Sequence, residues 1–308
     1  MDKHYVWLDC DTGTDDAAAI LCANKLPELE IVAISAVAGN VELDKTFLNA
    51  HRLNRLMGTN YPVYRGAEKP WQRELETGYL YHGENGLGGV ELPLPENIPP
   101  CTEKAWDALY RTAVQLHGEL ELIATGPLTN IATAFVVHPD LKAYLKRIVI
   151  MGGSTRFGNR TPAAEYNIYA DPHAAQVVFN AGVPMAMCGL DVTLQAVLRE
   201  EDLERIGAFG SPAAKFFHRE LLTPLGTQPG GTGVKIHDLT AVMYAARPDM
   251  FEGKMAGVQV ETRGEVTVGK TVTDLYSDKK FDFKNVFVVL KLDHARFLKE
   301  VTELMAQY

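Results

Sequence analysis

Nowhere in this chain of 308 residues does an apolar run approach the ~20 residues that a helix needs to cross a bilayer. Cysteine is scarce: Cys10, Cys22, Cys101 and Cys188 are scattered, with no CxxC pair. That usage offers no disulfide framework and fits small buried hydrophobes in a reducing compartment. No basic run occurs, and the net charge of −9 argues against nucleic acid or an anionic membrane as main partner. The chain enters Tyr5-Val-Trp-Leu8 without a signal-peptide pattern, so a cytoplasmic location is expected. HExxH and GxSxG are missing too, which leaves zinc-protease and serine-hydrolase chemistry without support. There is no tandem repeat and no obvious linker.

One local absence matters more than these. No Lys or Arg lies between His4 and Lys25, yet Asp9, Asp11, Asp15 and Asp16 fall within eight residues of that interval. The apolar run from Tyr5 to Leu8 reads as a buried strand, and Asp15-Asp16 before Ala17–Leu21 reads as a helix start. If the strand persists through Asp11, Asp9 and Asp11 share a side, because strand side chains alternate. Asp15 and Asp16 alone fit a first helical turn, where carboxylates complement the helix dipole. That does not account for Asp9 and Asp11. Like charges so close disfavour ionisation unless a positive charge sits among them. A hard divalent cation, calcium, magnesium or manganese, is the natural partner of such oxygens. An EF-hand is excluded: counted from Asp9, the sixth position is Thr14 rather than Gly and the twelfth is Ile20 rather than Glu.

A hydrophobic content of 46% and a charged content of 22% are those of an ordinary soluble globular protein. Strands are expected at 30–38, 61–64, 120–124, 147–151, 184–188 and 286–290, and helices at 41–57, 102–117, 128–137 and 200–206. Others are expected at 212–222 and from 236 to 246. Asp171-Pro172 opens a further helix that Gly182 closes, and Asp293 caps the last one. Residues 66–100 and 223–234 read as long loops. Val258–Glu261 and Glu265–Val268 alternate like a hairpin around Thr262-Arg-Gly264. This pattern predicts a single α/β domain over residues 1–308, with an open, mainly parallel sheet flanked by helices. Strand after strand ends in a polar, Gly-containing loop: Asp9–Asp16, Gly39-Asn40, Thr125–Asn130, Gly152–Ser154 and Gly189–Asp191. In open parallel sheets those ends share one edge, and ligands bind there.

The string Gly264-Glu-Val-Thr-Val-Gly-Lys-Thr271 fits a phosphate loop, but its interior is alternating β-formers and no apolar helix follows. Glu165-Tyr-Asn167, with Asn159 upstream, suits hydrogen bonds to a polyhydroxylated ligand, although such residues also cap turns. His237-Asp238 and His82 are ambiguous taken singly.

Asp9-Cys-Asp-Thr-Gly-Thr-Asp-Asp16 resembles the amino-terminal DxDxGxDD signature of the nucleoside hydrolases. The resemblance continues through Ala38-Gly-Asn40, His82-Gly-Glu, Thr125-Gly-Pro-Leu-Thr-Asn130, Met151-Gly-Gly153, Asn159, Glu165-Tyr-Asn167, Leu190-Asp-Val-Thr193 and His237-Asp238. It implies the Rossmann-like fold of that family and a Ca2+ ion bound by Asp11, Asp15, the Thr125 carbonyl and Asp238. It implies Asp11 as general base, with Asp16 and Asn40 positioning metal and sugar. Asn159, Glu165 and Asn167 would hold ribose hydroxyls, with Met151 against the sugar. His237 would lie near the base and protonate it, assisted by His82. The expected substrate is a ribonucleoside and the expected assembly a homodimer or homotetramer. Two other functions compete: a metal-dependent phosphohydrolase, and a non-catalytic, calcium-dependent nucleoside-binding protein.

Overall fold

The structure is a computed structural model describing residues 3–227, 233–275 and 280–308. Its strands are β1 (His4–Cys10), β2 (Leu29–Ala36), β3 (Val63–Arg65), β4 (Leu120–Ala124), β5 (Leu145–Met151), β6 (Met185–Cys188), β7 (Val197–Leu198), β8 (Val234–Lys235), β9 (Phe251–Val260), β10 (Thr271–Asp274) and β11 (Val286–Leu292). Its helices are α1 (Thr14–Lys25), α2 (Leu43–Met57), α3 (Tyr79–His82), α4 (Ala105–Gln115), α5 (Thr129–Val137), α6 (Tyr166–Ala170), α7 (Pro172–Phe179), α8 (Leu190–Thr193), α9 (Glu200–Gly207), α10 (Pro212–Thr227), α11 (His237–Ala246) and α12 (His294–Met305).

Nine strands form one sheet in the order β10-β9-β11-β6-β5-β4-β1-β2-β3. From β11 to β3 every neighbouring pair is parallel, and β9 and β10 extend the β11 edge antiparallel. Helices cover both faces. Leu8 and Ile123 pack into a core with α1, α10, α11 and α12, while Trp7 and Leu122 point into a second core with α4, α5 and α7. That alternation explains why the central strands read as continuous apolar runs: each is buried on both sides. Among the described residues no helix is long and apolar enough to span a membrane.

The chain lays β2 and β3 on one side of β1, then returns to place β4, β5 and β6 on the other. The sheet order therefore reverses between β1 and β4, and a crevice opens at their carboxyl ends. Register sets its base, because Asp9 stands beside Ser35 of β2 and Ala124 of β4.

Four local expectations change. β1 stops at Cys10, so Asp11 lies beyond the strand. The hairpin partner of β9 is β10, not Glu265–Val268, which winds into turns. There the Glu261 carboxylate accepts the N–H groups of Arg263 and Gly264 at 2.7 and 3.0 Å, and Gly269 takes a φ of 81°. Helix α10 continues through Thr227, into the segment expected as a loop; residues 228–232 of that segment lie outside the described residues. Finally, α7 ends at Phe179 with Asn180 as its C-cap, and Gly182, with φ 78°, turns the chain towards β6. The Gly264–Thr271 string lies in the β9–β10 connection and runs into β10 at Thr271, so no helix follows it.

Candidate active site

A cleft of about 440 Å³ lies over the carboxyl ends of the parallel strands. Its floor is acidic. Asp11, just past β1, is 1% exposed; its Oδ2 accepts the Asn40 N–H at 2.7 Å, while Oδ1 is buried without a partner. Gly39 makes this close approach possible, since a Cβ there would sit 2.1 Å from Asp11 Oδ2. Asp16, in the first turn of α1, is fully buried and saturated. Its Oδ2 accepts from Gly13 N at 2.8 Å and Asn40 Nδ2 at 3.2 Å, and its Oδ1 from Thr125 Oγ1 at 2.6 Å. Asp15, Asp16 and Asp238 each offer a carboxylate oxygen within 4.8 Å of the others.

The electrostatics of this floor are strained by burial. Asp11 and Asp238 are both held well above the usual carboxylate range, by desolvation first and then by neighbouring carboxylates. Asp15 and Asp238 face one another in this cluster, and two ionised carboxylates so placed repel. Either a proton or a cation must lie between them. Oxygen donors only, mutual repulsion and the orphaned Asp11 Oδ1 together fit a hard divalent ion.

Asp9, one layer below, accepts from Ser35 Oγ and from Asn130 Nδ2 at 2.8 Å through Oδ1, while its Oδ2 has no partner. Burial pushes its carboxyl up to about 6. It braces β1, β2 and α5 beneath the cleft and does not line it.

The wall after β5 is built by local capping. Glu165 is the N-cap of α6; its carboxylate accepts Asn167 N at 3.0 Å, Ile168 N at 3.2 Å and Gly153 N at 2.9 Å. Burial pushes it up to about 7. Asn167 Nδ2 donates to the carbonyls of Thr125 at 2.7 Å and Met151 at 3.1 Å. Asn159 Oδ1 takes the Tyr166 N–H at 2.9 Å, fixing the loop that carries it.

Two histidines face the cleft from different elements. His237 opens α11, its Nδ1 2.8 Å from Thr193 Oγ1, and burial lowers its pKa. His82, at the end of α3, accepts the Thr14 N–H through Nδ1 at 3.2 Å. A nitrogen that accepts a backbone N–H carries no proton, so neutral His82 is protonated on Nε2. Its Nδ1 also lies 3.9 Å from Asp15 Oδ1, but the same acceptor role prevents a proton-bearing contact there. Burial lowers His82 to about 4.

Of the residues singled out from the sequence, Asp15, Asn40, His82, Thr125, Met151, Asn159, Glu165, Asn167, His237 and Asp238 line the cleft, and Asp11 and Asp16 lie buried under its floor. Val234 and Lys235, from the second long loop and the residue after it, line the cleft; sequence reasoning missed Leu194 and Leu221, which share the apolar end beside His237, and the rim residues Tyr166 and Arg160. It also missed Glu220 of α10, wholly buried with neither carboxyl oxygen partnered. The apolar residues carry no pattern that sets them apart from core. Tyr166 and Arg160 adjoin residues that were singled out, and adjacency was the available signal.

The family model described as inosine-uridine preferring nucleoside hydrolase matches residues 6–299. A pyrimidine-specific ribonucleoside hydrolase RihA of Shewanella sp. (strain ANA-3) is 39% identical over 312 aligned positions, spanning 98% of this chain and 96% of that protein. Among solved structures, the plant nucleoside hydrolase PpNRh1 superposes with a TM-score of 0.93 at 29% identity, covering 99% of each chain. A purine-preferring ribonucleoside hydrolase from Gardnerella vaginalis does so with a TM-score of 0.92 at 32% identity, covering 98% of each.

Proposed function

The chain belongs to the inosine-uridine preferring nucleoside hydrolase family, and from that premise we propose a Ca2+-assisted ribonucleoside hydrolase that prefers pyrimidine nucleosides. The overall reaction is cleavage of the N-glycosidic bond to ribose and free base. The clustered carboxylates of Asp15, Asp16 and Asp238, with the orphaned Asp11 Oδ1 in the same acidic floor, are the observation that supports the calcium reading best. Asp11, Asp15, Asp238 and the Thr125 carbonyl would hold the ion. Asp16 belongs to the same acidic group, but its oxygens are already taken by three donors, so it orients the cage instead. When bound, the ion lowers the pKa of water and orients it.

The residues of the chain supply the rest. Asp11 takes a proton from the attacking water. Glu165, Asn159 and Asn167 bind ribose hydroxyls, and Met151 packs against the ring. Bond cleavage builds positive charge on the ribose, which the fixed carboxylates around it stabilise. The departing base needs a proton or strong hydrogen bonds; His237 lies at the apolar end where the base fits, and His82 Nε2–H supports it from the other side. The pyrimidine preference rests on the specificity of the RihA relatives. Neither the phosphohydrolase nor the binding-only reading is favoured, because the similar proteins are ribonucleoside hydrolases. Assembly as a homodimer or homotetramer accompanies this proposal, and light scattering checks it.

The test is metal depletion followed by a substrate panel. Chelated enzyme should lose base release from uridine and regain it with Ca2+. Uridine and cytidine should outrun inosine and adenosine. Full turnover after thorough chelation contradicts the metal assignment, and faster purine release contradicts the base preference.

A further inference from the structure

The rim of the cleft carries an ion pair that the hydrolytic machinery does not use. Glu76 belongs to the segment leading into α3, and its carboxylate pairs with Arg160 across the cleft mouth. This segment is held at the same point a second time, because Tyr166 OH donates to the Glu76 carbonyl at 2.7 Å. Arg73 also approaches Glu76, at 3.7 Å, but it is engaged elsewhere: it donates to the Tyr169 carbonyl at 2.8 Å and lies 3.8 Å from the Tyr169 ring centre. Arg160 lines the cleft, and Glu76 is the ion-pair partner found for it among the described residues.

The placement of this pair has a consequence for the substrate, and it rests on the nucleoside reading above. A ribose whose 2′- and 3′-hydroxyls face Asp11, Asp15 and Asp238, and whose base lies towards Leu194, Leu221 and His237, leaves one wall for its 5′ carbon. That wall carries Asn159, Arg160 and Glu165. A 5′-hydroxyl there is neutral and meets polar groups. A 5′-phosphate would bring about two negative charges against the Glu76 carboxylate, and Glu76 already occupies Arg160, the guanidinium that lines the cleft among the described residues.

We propose that Glu76, by holding Arg160, is a specificity-determining residue that restricts this enzyme to ribosides with an unphosphorylated 5′ end. Glu76 touches no reacting atom. It withholds a phosphate-binding cation and adds a repelling charge, so discrimination comes from a built-in repulsive element as well as from fit. With that carboxylate removed, Arg160 becomes the anchor for a 5′-phosphate, and uridine 5′-monophosphate becomes a substrate. Water then adds its oxygen to C1′, the C1′–N1 bond breaks, and the products are ribose 5-phosphate and protonated, neutral uracil.

Glu76→Gln keeps the side-chain length and the backbone carbonyl that Tyr166 holds. The ratio of kcat/KM for uridine 5′-monophosphate to that for uridine should rise at least tenfold in this variant. Arg160→Gln removes the cleft-lining cation and leaves Glu76 with only the longer Arg73 contact, so the ratio should fall below wild type. The double variant should lose the gain of Glu76→Gln. As a binding readout, ribose 5-phosphate should compete at least tenfold better, relative to ribose, against Glu76→Gln than against wild type. Uridine hydrolysis with an unmoved ratio and unmoved competition in both single variants overturns the inference alone. No base release from any ribonucleoside by wild-type enzyme with Ca2+ overturns the nucleoside reading, and the inference with it.

Discussion

The side-chain amide of Asn167 donates to the backbone carbonyl of Thr125 at 2.7 Å across 42 residues of sequence. This bond ties the cleft wall built by α6 to the end of β4, beside the acidic floor. The same nitrogen reaches the Met151 carbonyl, so one amide closes the gap between two adjacent strand ends. The α6 wall and the strand ends beside the acidic floor are thereby tied together by one side chain.

Removing that amide should loosen both. Asn167→Ala leaves two buried carbonyls short of a donor, which costs about 1–3 kcal/mol. Thermal unfolding should show the loss, and kcat/KM for uridine should drop by more than tenfold. A variant with wild-type kinetics and a lowered melting temperature would reduce Asn167 to a purely structural strut.

Asp11→Ala should keep the fold and lose at least ~10²-fold in rate, the range expected of a general base. Stability should move the other way in metal-free protein. Asp11 is buried beside other carboxylates, so deleting it should leave the metal-free melting temperature unchanged or higher. Calcium should raise that temperature less than in wild type. A near-wild-type rate removes Asp11 from the role of base.

Asp9 supplies a pH signature. Burial raises its carboxyl from 3.8 to about 6 in the folded chain. A raised carboxyl pKa means that the native state binds the extra proton, so its contribution is fully present below pH 3.8 and disappears as pH rises through about 6. Metal-free wild type should therefore lose stability across that window in denaturant titrations. Asp9→Asn, which retains an acceptor for Ser35 and Asn130, should show a flatter profile. Parallel profiles for the two proteins would contradict the assignment.

If His237 protonates the leaving base, His237→Ala should harm inosine far more than a riboside whose leaving group needs no proton, such as a nitrophenyl riboside. Its Nδ1 already contacts Thr193, which leaves Nε2 as the nitrogen for the base. Equal losses on both substrates would sink that role.

Much of this molecule is written in short-range pattern. Doubly buried strands are mainly apolar, so β1, β4 and β5 announce themselves despite buried Asp9 and Glu121, and capping residues such as Asp171 and Asp293 mark helix starts because their carboxylates accept orphan N–H groups. The acidic cluster between His4 and Lys25 was legible for the same reason: uncompensated like charges are costly wherever they fold. What no local pattern could decide was which distant groups meet. The saturation of Asp16 by Gly13, Asn40 and Thr125, the bare oxygen of Asp11, and the Glu76–Arg160 clasp all depend on the sheet order reversing between β1 and β4. The turn at Glu265–Val268 was likewise settled by Glu261 and Gly269 against an alternating sequence. Backbone preference acts over a few residues, whereas charge pairing and solvent exclusion act through space, and only the assembled sheet brings the partners within reach.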